Sequence, residues 1–229
     1  MVCLSTCGLR SGDALNKRGA SENAAPMGES PISTLSYSGN EARSISPEIK
    51  DVVQNKKKFF CTETGKLMYF KDFRSDSYLF VNDDGKIEYT DHGEREEALS
   101  YSQFCVIDMD GDGIPELILE ESHAGTRLLF HCEDGVVYGY TFPFRGMNGP
   151  KADATFIGSN GATINDVLKI QRFSKGEVIF DELCCQNGFD NVYRIDGKNV
   201  SPEATEAYIG VQFTKTDVEW YPYGEACFG

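Results

Sequence analysis

Tyr101-Ser-Gln-Phe-Cys-Val-Ile-Asp108-Met-Asp110-Gly111-Asp112-Gly113-Ile114-Pro115-Glu116-Leu-Ile-Leu119-Glu120 is the stretch on which the fold turns. Its two flanks are rich in β-branched, aromatic and other apolar residues, which suit a pleated surface. Pro115 biases Ile114 towards extended backbone, so the run that follows reads as a strand. Two strands joined by so short a turn pair antiparallel, because a parallel return needs a crossover of about a dozen residues.

The turn between them carries chemistry. Acids at positions 1, 3 and 5 (Asp108, Asp110, Asp112), glycine at 6 (Gly113) and an acid at 9 (Glu116) match the first nine positions of a calcium loop. Alternate side chains of such a turn point at one centre. Gly113 permits the reversal that brings the Ile114 carbonyl to the same point. Four carboxylates in one turn repel one another unless a cation joins them. Oxygen donors without His or Cys favour Ca²⁺ over zinc or copper. The expected site is therefore a structural Ca²⁺ held by Asp108, Asp110, Asp112, the Ile114 carbonyl and Glu116. It is not a helix-loop-helix EF-hand, because Leu119 stands where the bidentate Glu belongs. The competing reading is an acidic hairpin turn that binds nothing.

Outward from this hairpin the β pattern continues. Strands are expected at 78–81, 128–132, 136–142, 154–157, 166–173, 178–184 and 192–195. Turn dipeptides such as Asp84-Gly85, Asp134-Gly135, Asn160-Gly161 and Asp196-Gly197 punctuate them. Ser46-Pro47-Glu48 and Ser201-Pro202-Glu203 each supply an N-cap hydroxyl, a proline at N1 and a first-turn acid. The first helix is expected to carry Ile49, Val52, Val53 and Phe60 on one stripe and Lys56–Lys58 at its end. The second should carry Ala204, Ala207, Tyr208 and Val211, with Gly210 as its stop. The fold class is α+β: a mainly antiparallel sheet with a helix near each end, over residues 47–229 as one domain.

Residues 1–46 read as a leader and tether. From residue 8 the chain is rich in Ser, Gly, Ala, Asn and Glu, too poor in apolar side chains to offset its entropy. Leu4-Ser5-Thr6-Cys7 resembles a bacterial lipobox, which makes Cys7 the candidate lipidation site. The basic and apolar parts of a full signal do not precede it, so the signal reads as truncated. The expected address is an extracytoplasmic cell-surface lipoprotein, touching membrane only through that anchor.

Composition excludes some partners. With 22 Lys+Arg against 36 Asp+Glu the formal charge is −14, the wrong sign for a nucleic-acid backbone or an anionic lipid surface. The eight cysteines include no C-x-x-C and support no assigned disulfide framework. His92, His123 and His131 lack metal-protease spacing, and no nucleophile elbow, Walker loop or dinucleotide fingerprint is present. Trp220, with Tyr221 and Tyr223, is weighed as a sugar-stacking platform to which Tyr138, Tyr140 and Phe142 would add; packing of Val218 and Trp220 against the core is the favoured reading.

The run Phe104–Leu119 resembles the Asp-x-Asp-Gly-Asp-Gly-x-Pro-Glu-Leu segment of uncharacterised secreted proteins and lipoproteins of gut Firmicutes. Phe59-Phe60 before Thr62-Glu-Thr-Gly-Lys66, the run Asp134–Tyr140 and the tail Asp217–Tyr221 are similar to the same group. The resemblance spans roughly 47–223 and implies a tethered, exported domain, without implying an activity. The metal segment is also loosely similar to the calcium loops of FG-GAP propeller blades, but a propeller needs several blades and one such loop is present. The leading expectation is a non-catalytic calcium-binding module for a protein or glycan. The alternatives are an extracellular hydrolase with an unrecognised site and a structural spacer; an enzyme is the less favoured class.

Overall fold

The computed structural model describes residues 45–74, 78–81, 87–90, 100–122, 125–143, 145–161 and 163–228. Residues 1–44 of the expected tether, with Cys7 among them, and residues 82–86 and 91–99, with His92 among the latter, lie outside them, as does His123.

The first described element is helix α1 (Pro47–Val53), followed by strands β1 (Phe59–Cys61) and β2 (Lys66–Met68). A separate hairpin pairs β3 (Tyr78–Val81) with β4 (Ile87–Thr90). Next come β5 (Tyr101–Ile107), β6 (Glu116–Glu121), β7 (Arg127–Glu133) and β8 (Val136–Phe142), a meander of consecutive antiparallel neighbours. A second meander follows: β9 (Thr155–Gly161), β10 (Ile164–Ser174), β11 (Glu177–Asn187), β12 (Val192–Ile195) and β13 (Lys198–Asn199). Helix α2 (Pro202–Thr214) and the short strand β14 (Tyr221–Pro222) complete it.

These strands form a seven-stranded sheet in the order β14-β5-β6-β7-β8-β1-β2 and a five-stranded sheet in the order β13-β12-β11-β10-β9. The α+β, mostly antiparallel class is as expected. One pairing is parallel, that of β1 with β8, in which Phe60 lies opposite Tyr138.

Three apolar clusters show how the layers stack. On one face of the seven-stranded sheet, Leu117, Leu119, Phe130 and Val137 pack with Ile49, Val52 and Phe59. On the other face, Cys105, Ile118, Leu129 and Tyr140 meet Phe156, Leu168, Ile170 and Phe173 of the five-stranded sheet. Beyond that sheet, Val167 and Cys184 pack with Ile209 of α2. The order is α1, sheet, sheet, α2. Strand β6 lies in the middle of this stack, so it is apolar on both faces. Leu117, Ile118 and Leu119 are all fully buried, each worth about 1.5–3 kcal/mol relative to exposure.

Both helices depart from the expected stripes. The Ser46 hydroxyl accepts from the Ile49 N–H as an N-cap, but α1 ends at Val53 and Phe60 belongs to β1. Asn55 turns the chain at φ +58°, a left-handed conformation that Asn tolerates. Past it, Phe59 and Cys61 bury completely beside β8. In α2 the inward residues are Thr205, Ile209 and Gln212, while Val211 is 62% exposed and the helix runs through Gly210 to Thr214. The reason is polar. Gln212 Nε2 donates to Thr155 Oγ1 at 2.8 Å, so a buried hydrogen bond, invisible to hydropathy, orients the helix.

Candidate metal centre

The acidic turn joins β5 to β6, and its Met109 is buried in the cluster between the two sheets. Gly111 and Gly113 adopt φ of +80° and +87°, the left-handed region that side chains disfavour, and this folds the turn back on itself. Asp108 then serves the turn's own N–H groups: Oδ1 accepts from Gly111 at 2.7 Å and Oδ2 from Gly113 at 2.9 Å. Asp110 Oδ1 accepts from the Asp112 N–H at 3.2 Å, and Asp112 Oδ1 from the Ile114 N–H at 2.6 Å.

Of the four expected carboxylate ligands, three come together. One carboxylate oxygen from each of Asp108, Asp110 and Glu116 lies within 4.8 Å of the others. Ca²⁺–oxygen distances of about 2.3–2.6 Å put donors on one ion no more than about 5 Å apart, so this spacing fits a shared cation. Asp112 stands outside that group, exposed and turned towards the Ile114 N–H. Ile114 is 43% exposed.

Glu116 is the anchor of the group. It is fully buried, with Oε2 accepting from the Met109 N–H at 2.6 Å and Oε1 lying 2.9 Å from His131 Nδ1. A carboxylate offers about four lone-pair sites, so these two contacts leave capacity for a cation. His131, on β7, is itself buried and stacks on Phe173 of β10 at 4.3 Å. The loop thereby connects through one imidazole to the second sheet. The reading from residue types passes over this histidine, because its role appears only when β6 and β7 pair. With Leu117 opposite Phe130, the register carries Glu116 to His131.

The electrostatics are those of acids waiting for positive charge. Burial pushes Glu116 up to about 7, against the opposing hydrogen bonds from His131 and the Met109 N–H. Burial alone would lower His131, but contact with Glu116 outweighs it and holds the imidazole above its ordinary range. Burial, then the neighbouring Asp112, raises Asp110.

Elsewhere, Val218 and Trp220 pack partly buried against the inter-sheet cluster, with the Arg127 guanidinium 5.7 Å from the Trp220 ring. Tyr140 and Phe142 are 1% and 4% exposed, so they supply no exposed aromatic platform. The six cysteines among the described residues are free thiols.

No family model, curated protein or solved structure matches the chain. The functional reading stands on these residues and their geometry.

Proposed function

We propose that the chain is a non-catalytic, calcium-stabilised binding domain that works outside the cytoplasm, tethered to a cell surface through lipid on Cys7 and engaging a protein or glycan. The observation that carries this reading is the convergence of Asp108, Asp110 and Glu116 at a turn whose glycines sit at positive φ. Oxygen-only donors around a loose centre suit Ca²⁺ better than the strict octahedron of Mg²⁺. With few protein ligands and no bidentate Glu at position 12, the affinity belongs to the weak extracellular class, about 10⁻⁴ M. Such a site fills only where free calcium is near millimolar, which agrees with an exported protein. The lipobox-like Leu4–Cys7 and the polar stretch after it support the same address.

The deciding measurement is thermal melting in about 1 mM Ca²⁺, in Mg²⁺ and in chelator. Binding to the native state alone contributes RT ln(1 + [L]/Kd), about 1.4 kcal/mol at that concentration, which is a few degrees of melting temperature for a chain of this length. Identical curves in calcium and chelator would remove the calcium reading. Palmitate labelling of a form carrying a full export signal, against its Cys7→Ala variant, tests the anchor; equal labelling removes it.

A further inference from the structure

Far from the acidic turn, at the other end of β5, lies a cavity of about 650 Å³. That volume is within the range of small-molecule sites, about 300–1,000 Å³. Seven residues of strand separate the two places, roughly 20 Å. Phe70, Phe73, Tyr101 and Tyr223 supply aromatic walls, and Asn55 and Lys71 are among the polar residues that line it. The rings are already ordered against one another: Phe70 stacks on Tyr101 at 5.4 Å, and Tyr223 meets Tyr101 edge-on at 5.8 Å.

Two further observations give this cavity a chemistry. The Tyr101 hydroxyl oxygen is buried and has no hydrogen-bond partner among the described residues. A buried polar group left in that state is destabilising, and a ligand acceptor would satisfy it. Burial raises the Tyr101 phenol above its ordinary range, Tyr223 and Glu121 adding to the effect, so it remains a neutral donor. The second observation is charge. Residues 47–74, which provide most of the lining, hold seven Lys and Arg against four Asp and Glu, a net +3 within a chain of −14. Lys71 reaches the cavity itself, and Lys58 and Lys71 both place their ammonium groups over the neighbouring Tyr69 ring, at 5.3 and 5.8 Å.

We infer that this cavity is a binding site for a small, ring-bearing organic anion of the aromatic-carboxylate class, its ring among Phe70, Tyr101 and Tyr223, an oxygen on the Tyr101 hydroxyl and its charge towards Lys71. An apolar ring fits better than a sugar. Gln54 is engaged at both ends, by Lys56 and the Phe228 carbonyl, and Asn55 Oδ1 by the Lys71 N–H. Among the described lining residues, both amide oxygens are thus already taken and cannot accept from a ring of hydroxyls. The inference does not depend on calcium, since none of the lining residues belongs to the acidic turn.

The test is ligand-observed NMR and calorimetry on the full chain with benzoate, phenylacetate and 1-naphthoate, each beside its carboxamide. At least one acid should bind saturably and more tightly than its amide. Tyr101→Phe removes only the hydroxyl, so it should weaken that acid about tenfold while the melting temperature holds or rises. Lys71→Gln should erase the preference for acid over amide. The same titration in chelator, below the melting temperature, should give the same affinity, which keeps the result separate from the calcium reading. No saturable binding of any acid up to about 10 mM, or binding that both variants leave unchanged, would overturn the assignment. Amides binding as well as acids would overturn its anionic part.

Discussion

Glu116 Oε1 stands 2.9 Å from His131 Nδ1, with both side chains almost completely buried. This contact ties the acidic turn to β7 and, through the stacked Phe173 ring, to the second sheet. Removing one partner of a buried hydrogen-bonded pair is costly because the other loses its contact. His131→Ala is expected to lose about 3 kcal/mol in urea unfolding, and Glu116→Gln less, since the amide keeps a hydrogen bond. The double variant should lose less than the two single losses added together. Strictly additive losses would show that the two residues do not act as a pair.

The geometry separates two aspartates that look alike in the sequence. Asp108 belongs to the three-carboxylate group and also caps the Gly111 and Gly113 N–H groups. Asp112 lies outside the group. Asp108→Ala should therefore abolish the calcium dependence of melting and lower the calcium-free midpoint too. Asp112→Ala should keep most of the calcium response. Asp110→Ala should abolish the response without lowering the calcium-free midpoint, because it relieves repulsion with Asp112. Melting of the three variants in calcium and in chelator checks this order; a larger loss of response for Asp112 than for Asp108 would contradict it.

Two glycines make opposite predictions. Gly210 lies inside α2, exposed, and an added Cβ would meet nothing within 4 Å. Gly210→Ala should stabilise by about 0.5–1 kcal/mol, the intrinsic advantage of alanine in a helix. Gly139, at the buried centre of β8, faces the Phe59 ring, and a Cβ there would come within 2.6 Å of it. Gly139→Ala should destabilise by about 1–3 kcal/mol through overpacking. Chemical denaturation of both variants measures the pair, and a stabilised Gly139→Ala would mean that Phe59 has room to move.

What was legible in the sequence follows the range of each signal. The β5–β6 hairpin is legible because the apolar flanks, Pro115 and the spaced aspartates all act within 20 residues. The capping Ser46 and Ser201 were equally local. Phe60 falls on the α1 stripe by spacing alone, because its strand identity depends on β8, almost 80 residues away. Hydropathy turns α2 the wrong way because Gln212 is held inward by a hydrogen bond to Thr155, and hydropathy counts such a residue as exposed. His131 went unread for the same reason: its partner is fixed by strand register, not by spacing. The aromatic cavity gathers residues from 53 to 224, so no window of sequence contains it.

Asp166 gives a pH dependence separate from the metal turn. It lies on β10 opposite Cys185, and its Oδ1 accepts from the Gln186 N–H at 3.3 Å. Burial, with Glu182 adding, raises its carboxyl from 3.8 to about 6, while the Cys185 and Gln186 hydrogen bonds and Arg194 act against the shift. Below about pH 4 the residue is protonated in both folded and unfolded chains and contributes no pH dependence. Between about 4 and 6 the native state keeps a proton that the unfolded chain has released. The unfolded state then binds fewer protons, so stability falls as pH rises through this window. Above about 6 both states are ionised and the penalty is constant. The carboxyl is only partly buried, so solvent limits its size to the order of 1 kcal/mol. Asp166→Asn keeps an acceptor for the Gln186 N–H and removes the titration. It should match wild type near pH 4 and exceed it at pH 7, the difference growing between those values. Urea unfolding of both proteins at pH 4, 5, 6 and 7 isolates this residue, because every other ionisable group is common to the two. A difference that stays constant with pH would show that Asp166 titrates alike in the folded and unfolded chains.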